Sequence, residues 1–103
     1  MHRKNIIHRD IKTDNILIID KKDLSVCITD LGMACLESDE EELQMKCGSP
    51  GFVAPEILRN LRATTKADIF SLGCIFFRML MGYSLFRGNN SKEVLHNNKY
   101  LNP

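Results

Sequence analysis

The sequence predicts an α+β fold, mainly helical, with one small β-hairpin. Three observations carry this. Ile16-Leu17-Ile18-Ile19 is a largely β-branched run, Asp20-Lys21-Lys22-Asp23 is a polar turn, and Leu24 to Thr29 resumes with Val26 and Ile28 at spacing two. Lys66 to Met81 is apolar on nearly all sides, at a length only a helix uses. The chain has 103 residues, 44% hydrophobic and 26% charged, which allows one modest core in one domain.

The remaining elements follow in order. Glu37-Ser38-Asp39-Glu40-Glu41-Glu42 is too charged for a buried element and reads as a solvated loop. Gly48 to Gly51, with Ser49 and Pro50 between, is a turn. Pro55 suits the first turn of a short helix reaching Asn60. Gly82 is placed to stop the helix of 66–81, and Ser91 to cap a last helix running to about Asn98. A helix apolar on all sides needs partners, and this chain supplies few, so the sequence reads as a piece of a larger body.

Composition excludes several classes. The formal net charge is +1, which argues against nucleic-acid or membrane binding by bulk electrostatics. Charge is instead segregated: residues 30–48 carry one basic and six acidic side chains. Cys27, Cys35, Cys47 and Cys74 show no metal-ligand spacing, and no apolar leader precedes them. They are expected to be reduced thiols in an intracellular protein, cytoplasmic or nuclear. The stretch Ile69 to Met81 is too short to span a bilayer, so no membrane insertion is expected.

Polar residues flank the hairpin. His8-Arg9-Asp10-Ile11-Lys12-Thr13-Asp14-Asn15 precedes it and Asp30-Leu31-Gly32 follows. A hairpin joins its two ends, so Asn15 and Asp30 are expected to be neighbours. An amide oxygen and a carboxylate can share a hard cation such as magnesium, whose other ligands are water and phosphate oxygens. A second carboxylate, Asp10, and an ammonium, Lys12, complete a set suited to phosphoryl transfer. Any one of these residues would be an ordinary turn residue; the combination at these spacings is not.

The run 8–15 resembles the catalytic loop of eukaryotic protein kinases, H-R-D-L-x-x-x-N. Asp30-Leu31-Gly32 is similar to the metal-binding D-F-G motif, with leucine for phenylalanine. Ala54-Pro55-Glu56 matches A-P-E, and Asp68 to Gly73 resembles the start of the buried central helix of the kinase C-lobe. Lys12, two residues after Asp10, and Gly48-Ser49-Pro50-Gly51-Phe52 resemble a serine/threonine kinase, nearest to the calcium/calmodulin-dependent group. The resemblance covers essentially residues 1–103 as a partial kinase domain: catalytic loop 8–15, metal motif 30–32, activation segment 30–56 and buried helix about 66–81.

The resemblance implies roles. Asp10 would orient the hydroxyl of a protein serine or threonine, positioning first and accepting its proton late. Lys12 would bind the transferring phosphoryl oxygens of ATP; Asn15 and Asp30 would hold Mg2+; Ser49 would steady Asp10 and Lys12. His8, Arg9, Gly32, Glu56 and Asp68 would be supports, Asp68 by bonding catalytic-loop N–H groups. Arg9 would ordinarily meet an activation-loop phosphate. Met45 occupies the usual acceptor position, and Ser38 is the only hydroxyl between Leu31 and Gly48. Asp39 to Glu42 would then neutralise Arg9 in its place, the alternative being the exposed acidic loop read above. Met1 to Asn5 resembles the end of the helix before the catalytic loop. No glycine-rich loop, β3 lysine or αC glutamate is found, so the N-lobe is expected to be absent and this chain alone inactive and poorly folded. The alternative is a truncated, non-catalytic module that binds or competes.

Overall fold

Strands β2 (Ile16–Asp20) and β3 (Ser25–Ile28) pair antiparallel in the computed structural model, which describes all of residues 1–103. Ile16 lies opposite Ile28, and the register shifts between Ile18 and Asp20. Polar side chains close the turn: Asp20 Oδ1 accepts from Lys22 N–H at 2.7 Å and Asp23 Oδ1 from Ser25 N–H at 2.9 Å. These Asx-type bonds satisfy the turn amides without a glycine. The hairpin stands exposed on both faces for most of its length.

A second two-stranded sheet joins β1 (Ile6–Ile7) to β4 (Cys35–Leu36), with Ile7 opposite Cys35. Elements this short carry no periodicity, and the sequence pattern does not reveal them. A single 3₁₀ turn, His2–Lys4, precedes β1. Ile7 is fully buried and starts a core with Val53, Ala54, Ile57, Ala63 and Ala67.

The acidic run is not a loop throughout. It contains α1 (Glu40–Gln44), capped by Asp39, whose Oδ1 accepts from Glu42 N–H at 3.2 Å. Three glutamates in the first turn face the positive end of the helix dipole, and Leu43 packs against the core. The charge stays in water while the backbone is helical.

Helix α2 (Pro55–Leu58) starts at the expected proline and ends before Asn60, which turns to φ 59°. Helix α3 (Lys66–Met81) has the expected span and stops at Gly82, where φ is 78°. Burial on all sides is not observed. Ala67, Asp68, Ser71, Cys74 and Ile75 form the buried stripe, while Ile69, Leu72, Phe76, Met79 and Leu80 are exposed. Helix α4 (Ser91–Lys99) is capped by Asn90 rather than Ser91. Asn90 is extended and its Oδ1 accepts from Glu93 N–H at 2.9 Å, whereas Ser91 already lies inside the helix.

No helix is long and apolar enough to cross a membrane. All four cysteines are free thiols. Burial pushes the Cys74 thiol up from 9.0 to about 11. The folded state thus favours the neutral thiol. Its contribution is complete below the unfolded value and is lost as pH rises from 9.0 toward 11, by at most about 3 kcal/mol. Thermal melts of the protein in its full natural length across that range should fall more steeply for wild type than for Cys74→Ala.

Candidate functional site

The loop between β1 and β2 is held from below by the first turn of α3. Asp68, 5% exposed, accepts from His8 N–H at 2.8 Å through Oδ2 and from Arg9 N–H at 3.0 Å through Oδ1. The His2 ring donates to Oδ2 from Nε2 at 2.7 Å. Arg9 sits at φ 69°, a region costing a side-chain-bearing residue on the order of 1–3 kcal/mol. Each charge-assisted hydrogen bond contributes about 1.5–3 kcal/mol, so the carboxylate more than offsets the strain. Successive N–H groups converging on one anion form a nest, and here the anion belongs to the chain itself.

His8 is buried and bonds through both ring nitrogens. Nδ1 accepts from Asp10 N–H at 3.2 Å, so Nε2 carries the proton and donates to the Thr29 carbonyl at 2.9 Å. The imidazole thereby ties the loop to the end of β3 in one tautomer.

Asp10 is the meeting point of two segments, its own 8–15 loop and the turn that carries Ser49. Its Oδ1 accepts from Ser49 Oγ at 2.8 Å, its Oδ2 from Asn15 Nδ2 at 3.3 Å, and Lys12 Nζ lies 3.8 Å from Oδ2. Asn15 Nδ2 also donates to the Asp10 carbonyl at 2.8 Å. Gly48 sets Ser49 at this distance. Its φ is 125°, and an added Cβ would stand 2.9 Å from the Val53 side chain. Asp10, Lys12, Asn15 and Ser49 are thus brought together.

Asp30 joins them through the backbone. Thr29 N–H donates to the Asn15 carbonyl at 2.8 Å, one residue short of Asp30. Asp30 itself turns to φ 62°, is exposed, and accepts from Gly32 N–H at 3.2 Å through Oδ1. A Cβ on Gly32 would be 3.1 Å from that oxygen, so glycine permits the approach. Asn15 directs its amide N–H groups at Asp10, leaving Oδ1 as a free acceptor, and Asp30 retains Oδ2. Two neutral-to-anionic oxygens suit Mg2+, which keeps several waters and takes phosphate oxygens. No group of three His, Cys, Asp or Glu could hold a metal.

Arg9 is buried through its guanidinium, 3% exposed. It donates to the Met33 carbonyl, to the Glu42 carbonyl at 2.7 Å, and to Glu42 Oε2 at 3.0 Å. Of the acidic run, Glu42 alone pairs with Arg9. Arg62 bonds the Glu40 carboxylate and the Glu37 carbonyl, at 2.8 Å for the latter. Glu56 is half-buried in the first turn of α2 and forms no ion pair. Burial raises the thiols of Cys35 and Cys47 against the lowering pull of the Arg9 charge. Sequence reasoning does not find Asn98, whose buried amide bonds the turn after Ser49; nothing in a polar helix end signals that.

Residues 1–101 match the family described as "Protein kinase domain". The chain is 46% identical over 99 residues to the probable serine/threonine-protein kinase 2 of Plasmodium falciparum, covering 95% of this chain and 19% of that protein. It is 42% identical over 95 residues to calcium-dependent protein kinase 5 of Plasmodium berghei, covering 91% of this chain and 17% of that one. To the calcium and calcium/calmodulin-dependent serine/threonine-protein kinase of Pisum sativum it is 40% identical over 94 residues, 90% of this chain and 18% of that one. The chain therefore spans about a fifth of the length of these relatives.

Asp68→Ala orphans two buried N–H groups, each at about 1–3 kcal/mol. The variant should lower the protein's unfolding free energy by about 2–6 kcal/mol in urea titration, and a change under about 1 kcal/mol would contradict the assigned bonds.

Proposed function

The chain belongs to the protein kinase domain family, and from that premise we propose that it is C-lobe sequence of a serine/threonine kinase, transferring the terminal phosphoryl group of ATP to a protein hydroxyl. One observation carries the reading: the Asp10 carboxylate is held at once by Ser49, Asn15 and Lys12, which come from two separate segments. A carboxylate so fixed has little freedom left to lose when a hydroxyl approaches, which is how orientation lowers a barrier.

In this reading residues 8–15 are the catalytic loop, 30–32 the metal motif and 30–56 the activation segment. Asp10 orients the substrate hydroxyl and receives its proton late, being a weak base toward an alcohol. Lys12, drawn to within 3.8 Å of Asp10, carries positive charge toward the phosphoryl oxygens that gain negative charge in transfer. Asn15 Oδ1 and Asp30 Oδ2 are the atoms that would hold Mg2+, which neutralises phosphate charge when bound. The similarity to calcium-dependent kinases favours that branch of the family.

The activation segment carries its own carboxylate for Arg9. Glu42 fills the place of a phosphate, so the segment is ordered without modification. Ser38, its one hydroxyl between Leu31 and Gly48, is exposed and outside the Arg9 contact.

Transfer from labelled ATP in magnesium to a serine- or threonine-containing peptide tests the reading on the full-length protein. Asp10→Asn should lower kcat by at least about 100-fold, and Asp30→Ala should abolish magnesium-dependent turnover. A wild-type protein that binds nucleotide but transfers nothing would instead be the non-catalytic module. For the activation segment, phosphatase treatment and Ser38→Ala should leave activity unchanged, while Glu42→Lys should lower kcat/KM by about tenfold or more. Full activity of Glu42→Lys would defeat the assignment.

A further inference from the structure

Ser49 reaches Asp10 from a turn that the rest of the chain braces through several of its backbone groups. The Ser49 carbonyl accepts from Phe52 N–H at 3.0 Å and Val53 N–H at 3.1 Å. The Phe52 carbonyl accepts from Ser71 Oγ, on α3, at 2.7 Å. Two further groups go to one side chain on α4. Asn98 Oδ1 accepts from Gly51 N–H at 3.0 Å, and Asn98 Nδ2 donates to the Val53 carbonyl at 2.8 Å. Asn98 is fully buried, with no exposed surface. Gly51 is buried at φ 87°, a conformation that needs outside support to persist.

We infer that Asn98 is a positioning residue: its amide grips the Ser49–Val53 turn from behind and so aims Ser49 Oγ at the Asp10 carboxylate. The chemistry required is narrow. Gly51 N–H and the Val53 carbonyl are a donor and an acceptor two residues apart, and the side-chain amide supplies the matching acceptor and donor. A leucine would bury both backbone groups unpaired, at about 1–3 kcal/mol each. An ionised aspartate would keep the Gly51 bond and set a negative oxygen against the Val53 carbonyl. Helix α4 thus reaches the reacting carboxylate through two hydrogen-bonded steps, Asn98 to the turn and Ser49 to Asp10. This rests on the proposed role of Asp10.

The test is a double-mutant cycle for phosphoryl transfer to a serine peptide, made in the full-length protein with Asn98→Ala, Ser49→Ala and both. Asn98→Ala should lower kcat by about tenfold with the KM for ATP unchanged. In the Ser49→Ala background the same change should cost less than about twofold, because the residue it acts through is gone. Independent, multiplying losses would show a merely structural asparagine and overturn the inference. Asn98→Asp gives a second reading if the alanine variant does not fold. Protonation of the introduced carboxyl group restores both bonds, so the ratio of variant to wild-type kcat should fall as pH rises. A flat ratio near one would overturn the inference. A wild-type protein without transfer activity would remove the functional reading and this inference together; an active wild type with an additive cycle removes this inference alone.

Discussion

One buried carboxylate decides where the loop carrying Asp10 sits. Asp68 lies in the first turn of α3 and takes the amides of His8 and Arg9, residues 60 and 59 positions away in sequence. A buried anion has to be neutralised or fully bonded, and a loop in a left-handed turn has to be restrained. Each requirement meets the other. The loop needs the anion to hold Arg9 at φ 69°, and the anion needs the loop and His2 to replace water. From this junction Asp10 follows as the next residue, and His8 carries the constraint on to Thr29 at the end of the hairpin.

The carboxylate of Asp10 then collects partners from elsewhere in the chain. Asn15 comes from the 3₁₀ turn before β2, and Ser49 from the turn that Asn98 and Ser71 brace. Arg9 points the opposite way and gathers the Met33 carbonyl and Glu42. Neighbouring residues of one loop therefore organise two different regions, the Asp10 carboxylate and the acidic segment. Chemistry that depends on orientation favours such an arrangement, because the ordering is complete before a substrate arrives.

Much of this is legible in the sequence where a local rule is strong. The hairpin follows from β-branched residues around a polar turn, and α3 from a long apolar run ending at Gly82. The grouping of Asp10, Lys12 and Asn15 follows from their spacing before the hairpin, and Ser49 beside Asp10 from the kinase resemblance. What fails does so for physical reasons. Strands β1 and β4 have two residues each, too few for a period. The acidic run reads as loop when its charge is weighed without its cap; Asp39 and three glutamates at a helix start are helix-favouring. The apolar run of α3, by contrast, reads as needing more partners than the chain supplies, and Phe76, Met79 and Leu80 do face outward. Asn98 is invisible to any local rule, since its role exists only once α4 lies against a turn 45 residues earlier.

The central claim is that Asp68 holds the loop carrying Asp10 in place before any ligand binds. Amide hydrogen exchange at His8 and Arg9 in the ligand-free, full-length protein measures this most directly. The account predicts that both amides exchange as slowly as those inside α3. Exchange at the rate of the exposed hairpin turn would contradict it.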